Sequence, residues 1–238
     1  MNNNNCDLII PRQMRKIKPT RRSVSGFYSF RGESAIAFES TLERDFIMRK
    51  EFNVNVLDII PQPAQIPFTK NGRTYNYTPD FLVYYRLNNM SYEFYPKPLL
   101  VEVKPRLEIQ AHWSEWRDKY RAAFHHAKEQ GWDFRIHDES RIRDQALDNI
   151  RFLERYKRQQ YPIEESQAVI KTVTEMGSVA FHYLLSRHFM GLYKAEGIAH
   201  IWHLLATRQL DCDITRPLSD LTELWIPTYE WYWRLQNT

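Results

Sequence analysis

Glycine is scarce in this chain, at 7 of 238 residues, and its two cysteines, Cys6 and Cys212, stand far apart. So few glycines argue against long flexible linkers. Two isolated thiols supply neither a disulfide framework nor a zinc-ligand spacing. No run approaches the roughly 18 apolar residues that a bilayer-spanning helix needs, so no membrane partner is expected. The opening MNNNNCDLIIPRQMRK lacks the apolar stretch of a secretory leader, and a cytoplasmic location follows as the expectation. No internal repeat is visible.

What is present is enough for a packed core. Hydrophobic residues make up 43% of the chain and aromatics 14%, and the length allows a catalytic domain plus an appendage. The net charge of +4 is unevenly spread. Residues 1–30 carry Arg12, Arg15, Lys16, Lys18, Arg21 and Arg22 against Asp7. All of the basic excess therefore sits in an N-terminal arm with little apolar periodicity, as expected of a segment that tracks DNA phosphates and releases their counterions. The alternative is a solvated tail.

The apolar patterning predicts alternating helices and strands. Residues 36–52 read as a helix, with Phe38, Leu42 and Phe46 on one stripe and Glu39 and Glu43 on the next. Residues 54–60, 74–85 and 99–104 read as strands, the last ended by Pro105. Residues 106–131 read as a helix capped by Gly131, 132–138 as a fourth strand, and about 140–156 as a further helix. Tyr161-Pro162 marks a boundary. Beyond it come helices over about 164–176, 178–190 and 193–207, then a strand pair over 209–215 and 221–226. That order is the one a winged helix-turn-helix has. The expected division is a basic arm (1–30), an α/β catalytic domain (31–160) and a C-terminal winged-helix-like domain (161–238).

The chemistry concentrates on strand 99–104. Strand alternation puts Leu100, Glu102 and Lys104 on one face, with the acid and the lysine about 7 Å apart. An antiparallel pairing that sets Tyr85 near Leu99 brings Asp80 near Lys104, and Pro79 leaves Asp80 at the rim of the sheet. Two carboxylates suit Mg²⁺, a hard cation that prefers oxygen (with Mn²⁺ as substitute), and the Val103 carbonyl can add to the shell. A lysine beside them stabilises charge on a phosphate under attack. Asp80, Glu102 and Lys104 are thus the expected catalytic set of a phosphodiester hydrolase. The bland reading is a cross-strand acid–lysine pair, worth a few tenths of a kcal/mol at a surface. Glu39 and Glu43 share a helix face, and periodicity does not choose between them as a further metal ligand.

Four ordered blocks, FESTLERDF, IIPQP, YTPDFLV and LLVEVKP, together with the trailing WDFRIHDESRI, resemble the TnsA endonuclease subunits of heteromeric cut-and-paste transposases. The resemblance covers roughly residues 27–140. It implies a restriction-endonuclease-like PD-(D/E)xK core with a C-terminal winged-helix-type domain. It implies cleavage of the non-transferred strand at the 5′ transposon ends in double-stranded DNA, beside a DDE transposase, TnsB, and an AAA+ regulator, TnsC. An enzyme of that kind acts in the bacterial cytoplasm, at the nucleoid. By position it selects Glu43 as the helix glutamate, joining Asp80, Glu102 and Lys104. Gln62 also falls on a family position, with no role implied beyond proximity to the DNA backbone. Some family members occur in CRISPR-associated transposons. A stand-alone restriction- or resolvase-type nuclease of the same fold is the competing function. A non-catalytic adaptor is a third, and the complete acid set argues against it.

The remaining candidates have blander readings. His125-His126 and the His200/His203 pair lack a third and fourth ligand at zinc spacing and read as helix-surface or core histidines. Trp225, Trp231 and Trp233 read as packing rather than base-stacking residues, and Cys212 as part of an apolar strand face. Arg187, Lys194 and Arg208 would contact phosphate in a winged helix, or else form ordinary surface charge.

Overall fold

The computed structural model describes Gln13 and residues 24–87, 95–191 and 194–227. The arm's basic residues Arg12, Arg15, Lys16, Lys18, Arg21 and Arg22, and Trp231 and Trp233, lie outside these. The described residues fall into two compact units, those of Met1–Ile47 with Val56–Glu139 and those of Met48–Asn55 with Ser140–Thr238.

The first unit opens with a hairpin of β1 (Gly26–Phe30) and β2 (Ser34–Phe38). The predicted helix over 36–52 therefore begins later, as α1 (Thr41–Phe52). Phe38 has helical spacing to Leu42, but Ser40 interrupts the run as an N-cap, its hydroxyl accepting the Glu43 N–H at 3.1 Å. The Glu43 carboxylate returns to the Ser40 hydroxyl at 3.0 Å and to the Glu39 N–H at 2.7 Å, a variant of the capping box. Glu39 thus precedes the helix and does not share its face with Glu43.

The strand predicted over 74–85 is two strands. A ribbon of β4 (Ile66–Lys70) and β5 (Arg73–Tyr77) turns on Asn71-Gly72, both at positive φ, as a two-residue hairpin requires. The chain then breaks at Thr78-Pro79-Asp80 and enters β6 (Phe81–Tyr85), because proline cannot donate to a ladder. With β3 (Val56–Pro61), β7 (Leu99–Val103) and β8 (Asp133–His137), β6 forms a four-stranded mixed sheet of order β3-β6-β7-β8. β7 and β8 are parallel and joined by α2 (Arg106–Glu129), the crossover that parallel neighbours need. Tyr120, Ala123 and Ala127 of α2 bury against Leu82, Leu100, Ile66 and Tyr77. Phe46 of α1 stacks on Phe81, 5.4 Å between ring centres, and meets His137 edge-on.

The β6–β7 register pairs Phe81 with Val101, Leu82 with Leu100 and Val83 with Leu99. It lies two residues from the expected pairing of Tyr85 with Leu99. Tyr84 and Tyr85 pair instead with β3, and β7 begins only opposite Val83. Continuing this register sets Asp80 opposite Glu102, not Lys104.

The second unit divides the helix predicted over 140–156 into α3 (Glu139–Ile142), which begins at the last residue of the first unit, and α4 (Gln145–Glu154). Asp144 caps α4 through the Leu147 N–H at 3.1 Å. Then follow α5 (Ile163–Met176), β9 (Ser178–Ala180), α6 (Phe181–His188), α7 (Lys194–Ala206) and β10 (Glu223–Trp225). The expected strand pair is rearranged: β10 pairs antiparallel with β9, and the 209–215 segment contributes a single bridge, Asp211 with Trp225. The predicted helix over 178–190 starts with β9. Ile150 and Leu153 of α4 share a core with Val169, Phe181, Leu184, Ile201 and Leu205. Gly197 sits where Phe189 crosses α7; a methyl group there would lie 2.2 Å from the Phe189 Cβ. Among the described residues no helix is long and apolar enough to cross a membrane.

Candidate active site

β7 ends in a buried acid. Its five residues are all buried, and Glu102, at 2% exposure, lies on the face that carries Leu100 toward α2. Two hydrogen-bond donors and an ion-pair partner hold its carboxylate. The Tyr77 hydroxyl, at the end of β5, donates to Oε2 at 2.6 Å. Lys119 of α2 reaches Oε1 at 3.4 Å and Lys104 the same oxygen at 3.9 Å. The Lys119 ammonium lies 4.6–4.9 Å from the ring centres of Trp116, Tyr120 and Tyr77, so aromatic faces fix a cation beside the acid.

Asp80 stands on the neighbouring strand. Its N–H donates to the Val101 carbonyl at 3.1 Å, and its Oδ2 accepts the Val103 N–H at 2.8 Å. Burial, the charge of Glu102 and then that of Glu43 push its carboxyl well above the usual carboxylate range, against Lys104 and the Val103 N–H. Glu43 is raised too, by burial, while the Glu39 N–H, the Ser40 hydroxyl and Lys104 pull it down. Burial lowers Lys104, but Asp80, Glu102, Glu43 and Glu108 outweigh it and hold the ammonium above its ordinary value. Burial and Glu102 push the Tyr77 hydroxyl well up, so it remains a donor.

The structure thus brings Asp80, Glu102 and Lys104 together, with Glu43 within electrostatic reach. The buried acids, Glu102 and Glu43, and the partly buried Asp80 leave an excess of negative charge that a divalent cation would relieve, and an all-oxygen donor set fits magnesium. The acids do not close into a cluster on their own. Among the described residues no group of three or more His, Cys, Asp or Glu side chains is arranged to hold a metal. A cation here would draw on Asp80, Glu102, backbone or amide oxygens and water.

Sequence reasoning missed Tyr77, Lys119 and Tyr120. Tyr120 is buried, its hydroxyl has no partner within the protein, and Glu102 and Asp80 add to the burial that raises it. Lys119 lies between Trp116 and Tyr120 on α2, which read as core positions. Of the other candidates, His200 and Cys212 are buried, in keeping with their blander readings. His200 is fully buried and stacks on Tyr161 at 4.2 Å, and burial lowers it to about 4. Cys212 is buried, its thiol pushed up to about 12. Arg208 is not a spare phosphate contact: it pairs with Asp211 at 2.7 Å and covers Phe52. Arg187 and Lys194 are exposed.

The sheet carries a pair of acids beside a lysine, and comparison with known families gives the chain a lineage. Residues 53–139 match the model of the TnsA-like endonuclease N-terminal domain, and residues 141–214 that of the TnsA endonuclease C-terminal domain. The chain belongs to the TnsA endonuclease family, the DNA-cutting subunits of Tn7-like transposases. The first match takes in Gln62, Asp80, Glu102 and Lys104 and begins after Glu43. Nothing among curated proteins matches the chain.

Proposed function

We propose that this protein is a magnesium-dependent endonuclease of the PD-(D/E)xK type that cuts the non-transferred strand at the 5′ ends of a transposon. The observation that carries the reading is the Asp80–Val103 hydrogen bond, which ties the aspartate to the strand bearing Glu102 and Lys104. Asp80 and Glu102 would hold the cation, with the Val103 carbonyl and Glu43 as further oxygens; Mn²⁺ would substitute. The cation, when bound, neutralises charge on the scissile phosphate and acidifies water. Lys104 stays protonated and presents its ammonium to the developing negative charge. Tyr77 and Lys119 orient Glu102 and limit its motion.

The second unit, with helices α5, α6 and α7 and the β9–β10 pair, is read as the winged-helix-like part. The arm of Arg12, Arg15, Lys16, Lys18, Arg21 and Arg22 is read as a sequence-independent grip on DNA phosphates. A DDE transposase (TnsB) completes the 3′ chemistry and an AAA+ protein (TnsC) licenses it, in the bacterial cytoplasm at the nucleoid.

The test is strand-specific cleavage of transposon-end DNA in Mg²⁺, with and without the cognate transposase. Asp80→Ala and Lys104→Ala should abolish 5′-strand cuts and leave 3′-strand joining intact. Retained 5′ cutting by both variants sinks the site. Full cutting of both strands without any transposase would establish the stand-alone nuclease instead.

A further inference from the structure

Gln62 carries two unfavourable features at once. It follows β3 directly, between Pro61 and Pro63, and its backbone has φ +48°, a left-handed conformation that costs a residue with a Cβ about 1 kcal/mol or more. Its side chain is 4% exposed, yet Oε1 has no hydrogen-bond partner within the protein. A buried, unpaired amide acceptor costs about 1–3 kcal/mol. Glycine would relieve the backbone, and methionine would fill the same space without an unpaired oxygen, so packing alone does not explain a glutamine.

Its position does. The Gln62 N–H donates to the Asp80 carbonyl at 2.8 Å. Asp80 is thereby held from both sides, by Gln62 on the β3 side and by Val101 and Val103 on the β7 side. The unpaired oxygen thus belongs to the residue bonded to the backbone of the aspartate whose own carboxyl lies in an excess of negative charge. A neutral amide oxygen adds no charge there. It suits a hydrated hard cation, which keeps several of its waters and needs acceptors for their hydrogens.

We infer that Gln62 is a positioning residue for the catalytic cation, its Oε1 accepting a hydrogen bond from a cation-bound water on the Asp80 side. The inference rests on the proposed magnesium site and adds to it a residue that fixes the water shell. The left-handed backbone is then the strain that aims the amide, and the orphaned oxygen is satisfied only in the loaded enzyme.

The experiment titrates MgCl₂ calorimetrically into the full chain and melts the same samples in EDTA. Gln62→Met should weaken Mg²⁺ binding about tenfold or more while the melting temperature in EDTA stays equal or rises. Gln62→Glu, which keeps an oxygen at the same reach, should retain the affinity. An unchanged Mg²⁺ affinity in Gln62→Met overturns the inference. Should Gln62→Met fail to fold, Gln62→Leu takes its place: a like loss of Mg²⁺ affinity supports the role, and an unchanged affinity overturns it. Asp80→Ala separates the two levels. Binding equal to wild type in that variant refutes the magnesium site itself, whereas loss there with full binding in Gln62→Met refutes only the role of Gln62.

Discussion

The Asp80 carboxylate accepts the backbone N–H of Val103 at 2.8 Å, so the aspartate and the Glu102–Lys104 strand move as one piece. Its burial beside Glu102 gives the pairing a pH signature. The folded, metal-free protein binds the Asp80 proton more tightly than the unfolded chain does. Stability therefore falls as pH rises from the ordinary 3.8 through the raised folded value. Asp80→Asn removes that loss. In EDTA, urea titrations should show the variant more stable than wild type at pH 8 and equal to it near pH 4, while its cleavage falls by about 100-fold or more. A stability difference that is the same at both pH values contradicts the buried-acid account.

Tyr77 donates its hydroxyl to Glu102. Tyr77→Phe leaves a buried carboxylate one donor short, at a cost of about 1.5–3 kcal/mol of stability, and should slow cleavage about tenfold with DNA affinity unchanged. Gel-shift and single-turnover assays check both. Equal cleavage by the variant would mean that Lys104 and Lys119 alone orient Glu102.

Ser40 begins α1 through the Glu43 N–H. Ser40→Ala should cost about 1 kcal/mol of stability, read from the urea midpoint at unchanged slope. A neutral result would show that the Glu39 N–H and Glu43 suffice to start the helix.

The six arm residues from Arg12 to Arg22 predict a salt dependence. Replacing all six with glutamine should flatten the slope of log affinity against log salt by about 5 on duplex DNA, the value for six phosphate contacts. A slope that does not move takes the arm out of the interface.

Much of the site was legible because β7 is short and alternates: Glu102 and Lys104 share a face whatever pairs with them. The register was misjudged by two residues, yet Asp80 still joined the right face, since an even slip preserves the side-chain period. The β4–β5 ribbon was missed although Asn71-Gly72 announces it, because the aromatic alternation of TYNYTPDFLVYY runs unbroken through the stop that Pro79 imposes. β2 was absorbed into a helix because Phe38 stands four residues before Leu42 and eight before Phe46, in step with the helix that follows. Tyr77, Lys119 and Tyr120 could not be read as site residues from one sequence. They come to Glu102 from a ribbon and a crossover helix, across sequence separations that no local pattern encodes. The same holds for β9, three residues whose pairing partner lies more than forty residues away.

The β4–β5 ribbon ends on Tyr77, and Lys70 at its turn reaches the Glu115 carbonyl of α2 at 3.1 Å. Its exposed tip is thus fastened to α2, while its last residue donates to the Glu102 carboxylate. The hairpin turn and the acid's hydroxyl partner belong to one ribbon, which α2 braces at the turn.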